Sequence, residues 1–313
     1  MANTYGKVSG TFEEVTEIYG KVSGTWEEVD EAYAKVSGVW EQVFVAFVAT
    51  SFVTLSSGSG TFAVPQGANA IHVQAAVGGG GGGLRGADYD KAGGESAGGG
   101  GGSGAYVSDK VFTVTEGETL SYSIGAAGVQ NTNTYSGNSG SAGGTTTLSG
   151  SSAGSIFSLT GGGVSIITSG GGVQGPLRQQ AAGAGGSATV SGTAVTSGTF
   201  KDSVGVTQNV TSNTSGPVGT FNQSGNGVSG NNNGNCGGDN CQINGSTGAT
   251  SFAGSIAGGA GAPSTGNNAT PGTRGSGGGG GASYTQSTGQ GFSTQGASGG
   301  AGQIIYRFLR VNP

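Results

Sequence analysis

The sequence predicts an all-β protein with glycine-rich inserts: N-terminal β-hairpin repeats followed by a small antiparallel β frame. Three observations lead there. A 14-residue unit rich in strand-forming residues occurs three times in the first fifty positions. Short alternating segments bounded by Gly, Pro and Ser then recur through the body. Finally, polyglycine runs such as "AIHVQAAVGGGGGGLRG" (70–86), "SAGGGGGSGAYV" (96–107) and "GSGGGGGASYTQ" (275–286) adjoin those segments. Glycine supplies 73 of the 313 residues and only 9% are charged, whereas disordered chains are usually charge-rich. The glycines also lack the strict three-residue period of collagen.

The repeats are "YGKVSGTFEEVTEI" (5–18), "YGKVSGTWEEVDEA" (19–32) and "YAKVSGVWEQVFVA" (33–46). Two structures compete for them. Apolar residues fall at steps of three and four, which suits a coiled coil. A Ser-Gly pair interrupts each copy, however, and each helical glycine costs about 1 kcal/mol relative to alanine. Placing Ser-Gly in a tight turn gives one hairpin per repeat instead, and this reading is preferred. Tyr5, Phe12, Tyr19, Trp26, Tyr33 and Trp40 then form the aromatic set of an attachment or stalk module spanning 1–50. A single hairpin is marginal alone, so contact with another protein, or a homo-oligomer, is expected.

The body, 51–313, opens with "FVTLSSGSGTFAVPQGANAIHVQAAV" (52–77), read as three strands and two turns. "AYVSDKVFTVTEGETLSYSIGAAG" (105–128) reads the same way, and "QIIYRFLRV" (303–311) closes the chain as a strand. These segments predict a small sandwich with the glycine runs inserted between its strands.

Charge and composition exclude several functions. The net charge of −5 lies entirely on the first fifty residues, and the body is neutral. No basic surface for nucleic acid is therefore expected. No apolar run of about 18 residues predicts a membrane span, and "MANTYGKVSG" does not read as a signal peptide. His72 is the only histidine, and it alternates within a strand, which suits a structural role. Without a second histidine no Ser-His-Asp set or His-pair metal site is assembled, and neither catalysis, metal nor cofactor is expected. Asp88 and Asp90, flanking Tyr89 in a glycine-rich loop, are at best a weak candidate for the placed carboxylate pair a glycosidase needs. Cys236 and Cys241 in "NCGGDNC" fit either a small disulfide-closed loop or two free thiols.

Between the glycine runs lie "VQNTNTYSGNS" (129–139), "VQGPLRQQ" (173–180), "GPVGTFNQSGN" (216–226) and "APSTGNNATPGTRG" (262–275). Each sets a large group among amides and hydroxyls: Tyr135, Arg178, Phe221 and Arg274. Loops of this composition on a rigid scaffold suit recognition.

"FAVPQGANAIHVQAAVGGGGGG", "GGGGGSGAYVSDKVFTVTEGETLSYSIGAAG" and "GGAGQIIYRFLRV" together resemble the glycine-rich domain of tailed-phage tail and tail-fibre proteins, a group that includes the T-even-type distal fibre adhesins. The resemblance covers about 52–311, with "GETL…IGAAG" its most specific part. It implies that the glycine runs pack side by side as polyglycine II helices. It implies further that the intervening loops contact a bacterial receptor, an outer-membrane protein or a glycan. On that reading the protein is a non-enzymatic virion component, made in the host cytoplasm and released by lysis. Residues 1–50 resemble Lys/Trp repeats at the start of other phage tail proteins and would join it to other tail or fibre proteins.

Overall fold

The computed structural model describes residues 5–8, 11–14, 18–29, 31–45, 47–84, 99–130, 140–168, 179–181, 183–210, 242–243, 268–278, 283–285 and 291–312. All regular structure among them is β. The repeats are hairpins, not coiled coil: β1 (Tyr5–Val8) pairs with β2 (Thr11–Glu14), β3 (Tyr19–Val22) with β4 (Thr25–Glu28), and β5 (Glu31–Val36) with β6 (Val39–Val45). Ser23 and Gly24 have φ of 50° and 93°, and Ser37 and Gly38 have 51° and 90°. Positive φ at both central residues defines the type I′ turn, whose twist matches that of the flanking strands. The glycine adopts that conformation without the penalty a Cβ brings.

The body holds the remaining strands: β7 (Val53–Leu55), β8 (Ser59–Ala63), β9 (Ala70–Val77), β10 (Tyr106–Thr113), β11 (Thr119–Ser123), β12 (Thr146–Gly150) and β13 (Gly154–Leu159). β14 (Ile166–Thr168), β15 (Gln179–Ala181), β16 (Ala188–Val190), β17 (Thr199–Lys201) and β18 (Thr207–Asn209) follow, then β19 (Gln242–Ile243), β20 (Ser283–Thr285), β21 (Gly291–Ser293) and β22 (Gln303–Leu309). Two antiparallel sheets form a sandwich, with orders β10-β9-β22-β7 and β16-β13-β12-β11-β8. Successive strands β7 and β8 enter opposite sheets, as do β10 and β11. Alternation then sends one face of each strand inward. Ile71, Val73, Phe112 and Ile304 meet Leu120, Leu148, Ile156, Phe157 and Leu159 in one core. A second, smaller cluster of Ala49, Ala70, Val111, Phe200, Val210, Leu309 and Val311 includes residues of the β17–β18 hairpin.

The signature "GETL" is a structural staple. Gly117 has φ 72°, which closes the turn before β11. Glu118 is buried, and its Oε1 accepts the Thr115 amide at 2.6 Å. Its Oε2 accepts the amides of Ser152 and Ala153 at 2.9 and 3.1 Å, tying the turn that joins the two sheets to the β12–β13 turn. Leu120, two residues on, is fully buried in the core.

Residues 47–50 pack on the sandwich. Phe47 lies against its core, and the Ala49 amide donates to Lys201 O at 2.8 Å. The Thr50 amide donates to Phe308 O, and its Oγ1 accepts the Phe308 amide at 2.9 Å.

Candidate functional site

From one end of the sandwich the chain continues into a bundle of hydrogen-bonded glycine-rich segments. The run 78–84 lies at its centre, and its partners repeat every third residue. Gly78, Gly81 and Leu84 donate to Ala105, Gly102 and Gly99 at 2.8–2.9 Å. Gly79 and Gly82 donate to Gly144 and Ser141, and Gly80 and Gly83 to Gly300 and Ala297. The carbonyls serve three further neighbours. Gly79 and Gly82 accept from Gly162 and Ser165, Gly80 from Gly128, and Gly81 from Gly278. A three-residue period with every bond between segments is the signature of a polyglycine II helix inside a six-neighbour lattice. The neighbouring run keeps the same period: Gly102 and Ala105 donate to Gly163 and Thr160, and Gly101 and Gly104 to Gly278 and Gly275.

Glycine is required because the backbones touch. A Cβ on Gly79 or Gly82 would overlap the carbonyl oxygen of Ala126 or Val129, one on Gly81 that of Gly163, and one on Gly80 that of Ser276. This answers why "IGAAG" accompanies "GETL": Ile124 joins the core, and Gly125 and Gly128 enter the bundle with no room for a side chain. Where strand meets bundle, buried Thr146 donates Oγ1–H to Val77 O at 2.8 Å and accepts the Gly125 amide at 2.9 Å.

The bundle has direction. Gly78, Ala105, Gly125, Gly144, Thr160 and Gly302 lie at the sandwich end, since each adjoins or nearly adjoins a sandwich strand. Leu84, Gly99, Val129, Ser141, Ser165 and Ala297 lie at the far end, which at about 3.1 Å per residue is about 19 Å away along 78–84. The described chain breaks off after Leu84, Gln130 and Thr168 and resumes at Gly99, Gly140 and Gln179, all at that far end, and the β14–β15 pair and the β19-β20-β21 sheet stand there too. Its described rim carries exposed Val129 and Ile166, and a Gln130 Nε2 to Gln295 Oε1 bond of 3.0 Å. Asn268 Oδ1 accepts the Gln295 amide at 3.2 Å. Among the described residues, this end presents amides and aliphatic groups.

Of the residues expected to recognise a ligand, Tyr135, Arg178 and Phe221 lie outside the described residues, as do Cys236 and Cys241. Arg274 does not lie at the far end. It is exposed with φ 44°, and with Gly275 (φ 77°) it forms a tight turn closed by Ser276 N donating to Thr273 O at 2.9 Å. That turn sits beside Val77 and Gly78, at the sandwich end, because it must reverse the chain between two bundle segments, 268–273 and 276–278. Val129, Gln130 and Asn268 fall in the loops 129–139 and 262–275 that the sequence marked, whereas Ile166 and Gln295 were not singled out by sequence. Their common trait is that each closely borders a bundle segment on its far side.

Residues 54–309 match the family described as Glycine-rich domain. The chain belongs to that family. Among curated proteins, none matches it. Within this glycine-rich domain His72 is held by its neighbours on the outer face of the first sheet. Its Nδ1 accepts Arg307 Nε–H at 3.2 Å, and its Nε2 stands 3.5 Å from Asp109 Oδ1. Phe52 meets the imidazole edge-on, with ring centroids 5.6 Å apart. The Arg307 guanidinium lies 4.6 Å from the Phe52 ring centroid and 5.2 Å from that of Phe200. Burial, then the Arg307 charge, lowers the His72 pKa against the opposing pull of Asp109. No group of three or more His, Cys, Asp or Glu residues suited to a metal occurs among the described residues.

Proposed function

We propose that this glycine-rich domain protein is a non-enzymatic tail or tail-fibre adhesin of a bacteriophage virion that recognises the host cell surface. The observation that carries this reading is the polarity of the bundle: Leu84 and Gly99, Gln130 and Gly140, and Thr168 and Gln179, between which the intervening sequences run, all lie at the end remote from the sandwich. A lattice with no side chains between its helices holds their ends rigidly, so little ordering cost remains when they meet a receptor. Tyr135 and Arg178, and with them Phe221, supply anchors of the kind that dominate binding energy, with amides around them. A neutral body steers weakly by charge, so adsorption should vary little with salt. The receptor is an outer-membrane protein or a glycan, and residues 1–50 join the adhesin to other tail or fibre proteins.

Two measurements test this. Purified protein should bind whole host cells and block phage adsorption. Exchanging segments 131–139, 169–178 and 216–226 with those of a related phage should transfer host range while leaving the melting temperature nearly unchanged. A protein that is incorporated into particles yet neither binds cells nor competes is a structural connector, and the adhesin reading fails.

A further inference from the structure

Every strand of the first sheet sends one residue into a row on its outer face. Phe52 immediately precedes β7, Arg307 lies on β22, His72 on β9 and Asp109 on β10. The register sets Arg307 beside His72, and the pairing of Val53 with Tyr306 places Phe52 on the other side of Arg307. Alternation is broken where Asp109 joins the row. Val107 and Phe112 both face the core although an odd number of residues apart, and so do Val73 and Ala76. The mismatch is absorbed at Asp109, with φ 49°, and at the bulge that Gln74 makes against β22. Irregularities of this kind re-aim a side chain, and they persist only where the surroundings hold them.

The row fixes a guanidinium. Arg307 donates Nε–H to His72 Nδ1 and rests against the rings of Phe52 and Phe200, while Asp109 beside His72 Nε2 opposes rotation of the imidazole. Among the described residues, neither terminal nitrogen of Arg307 has a hydrogen-bond or ion-pair partner. Burial nevertheless lowers its pKa, the mark of a partly dehydrated cation. A planar guanidinium held this way offers its terminal N–H pair to a carboxylate. Its surroundings narrow the choice of ligand. Phe52 is 40% exposed and supplies an apolar surface beside the cation. The Asp109 side chain is 60% exposed, so its carboxylate can accept from a ligand hydroxyl. Asp202 adds a second negative field at Arg307, but its oxygens already accept from the Val204 and Val206 amides and the Gln208 side chain. Two carboxylates around one guanidinium admit one negative charge and oppose a second. One carboxylate, free hydroxyls and an apolar ring face together describe an acidic sugar.

We propose that Phe52, His72, Asp109 and Arg307 form a binding site for a singly charged acidic sugar, a uronic acid residue of a glycan. The carboxylate sits on the terminal nitrogens of Arg307, a hydroxyl reaches Asp109, and the sugar ring lies against Phe52. The site belongs to the sandwich and does not rest on receptor binding at the far end of the bundle. Titration of the full-length protein with methyl β-glucuronide, followed through the NMR resonances of the His72 and Arg307 side chains, tests it. Saturable shifts with a Kd of about 1–10 mM are expected, the range of a small ligand making few contacts. Methyl β-glucoside keeps the hydroxyls without the charge, and inorganic phosphate carries more than one charge. Each should bind at least about 10-fold more weakly than the glucuronide, as should Arg307→Lys, which keeps the charge but loses the fork. Phe52→Ala should weaken binding as well. The comparison of the three probes on the wild type stands even where a variant does not fold. No saturable shift up to about 100 mM glucuronide overturns the proposal. So does glucoside or phosphate binding as tightly as the glucuronide, or undiminished binding by folded Arg307→Lys. A polyglutamate peptide that binds more tightly than the glucuronide also overturns it, because the fork would then serve an acidic protein.

Discussion

At Gly80 a single added methyl group meets the Ser276 carbonyl with no flexible side chain to give way. Backbone would have to move across several bundle segments at once. Gly80→Ala should therefore cost more than about 4 kcal/mol in urea unfolding, or prevent folding. Gly58→Ala is the control. Its φ is 75° but the space around it is open, so only about 1–2 kcal/mol of local strain is expected. Equal costs at the two positions would show that the lattice is not as close as its hydrogen bonds imply. His72 gives a second test at this scale. Its folded-state pKa lies below the ordinary value of about 6.5, so the unfolded chain binds the proton more tightly. Stability is then fully present above pH 6.5 and falls as pH drops through that value towards the folded-state pKa. Protonation also turns Nδ1 into a donor facing Arg307 Nε–H. The melting temperature should fall between pH 7 and pH 5, and His72→Asn should flatten that part of the profile.

Among elements, the hairpins and the bundle stand at opposite ends of local stability. Amides of 78–84 are bonded on every side by segments far away in sequence, so they open only when the whole domain opens. Their hydrogen exchange should report the global unfolding free energy, whereas the 19–28 hairpin amides should exchange orders of magnitude faster. Fast exchange at Gly80–Gly82 would mean that the run behaves as a linker. This contrast also marks what the sequence made legible. Ser-Gly between strand-forming residues named the hairpins, because a two-residue turn is specified by residues adjacent in the chain. The long glycine runs announced themselves likewise. The shorter bundle segments 140–145 and 160–165 did not: they look like ordinary loop, and only the neighbouring backbone shows why Gly144 and Gly162 lack side chains. Arg274 shows the same limit of local sequence. A large residue among small polar ones marks a turn, but not the end of the bundle at which that turn stands.

For the whole molecule, the chain closes on itself through its last strand. β22 lies between β9 and β7 in the first sheet, pairing Ile304 with both Ala76 and Leu55, and Tyr306 and Phe308 sit in the core. It also continues directly from bundle segment 294–302, so sandwich and bundle are joined there by covalent chain as well as by hydrogen bonds. Contacts this distant in sequence are expensive to close and form late in folding. Removing 303–313 should therefore abolish both the sandwich and the bundle. It would strip β9 of one neighbour and leave the carbonyls and amides of 294–302 without a fixed position. The N-terminal boundary behaves differently. A chain beginning at Phe47 keeps the Ala49 and Thr50 bonds to Lys201 and Phe308, and should melt within a few degrees of the full-length protein. A chain beginning at Ser51 loses those bonds, the buried Ala49, and Phe47 beside Gly67, and should melt clearly lower, by about 2–4 °C per kcal/mol lost. Calorimetry of the three truncations gives the order directly. If the chain from Ser51 matches the chain from Phe47, the segment 47–50 is a passive tether and the sandwich is complete without it.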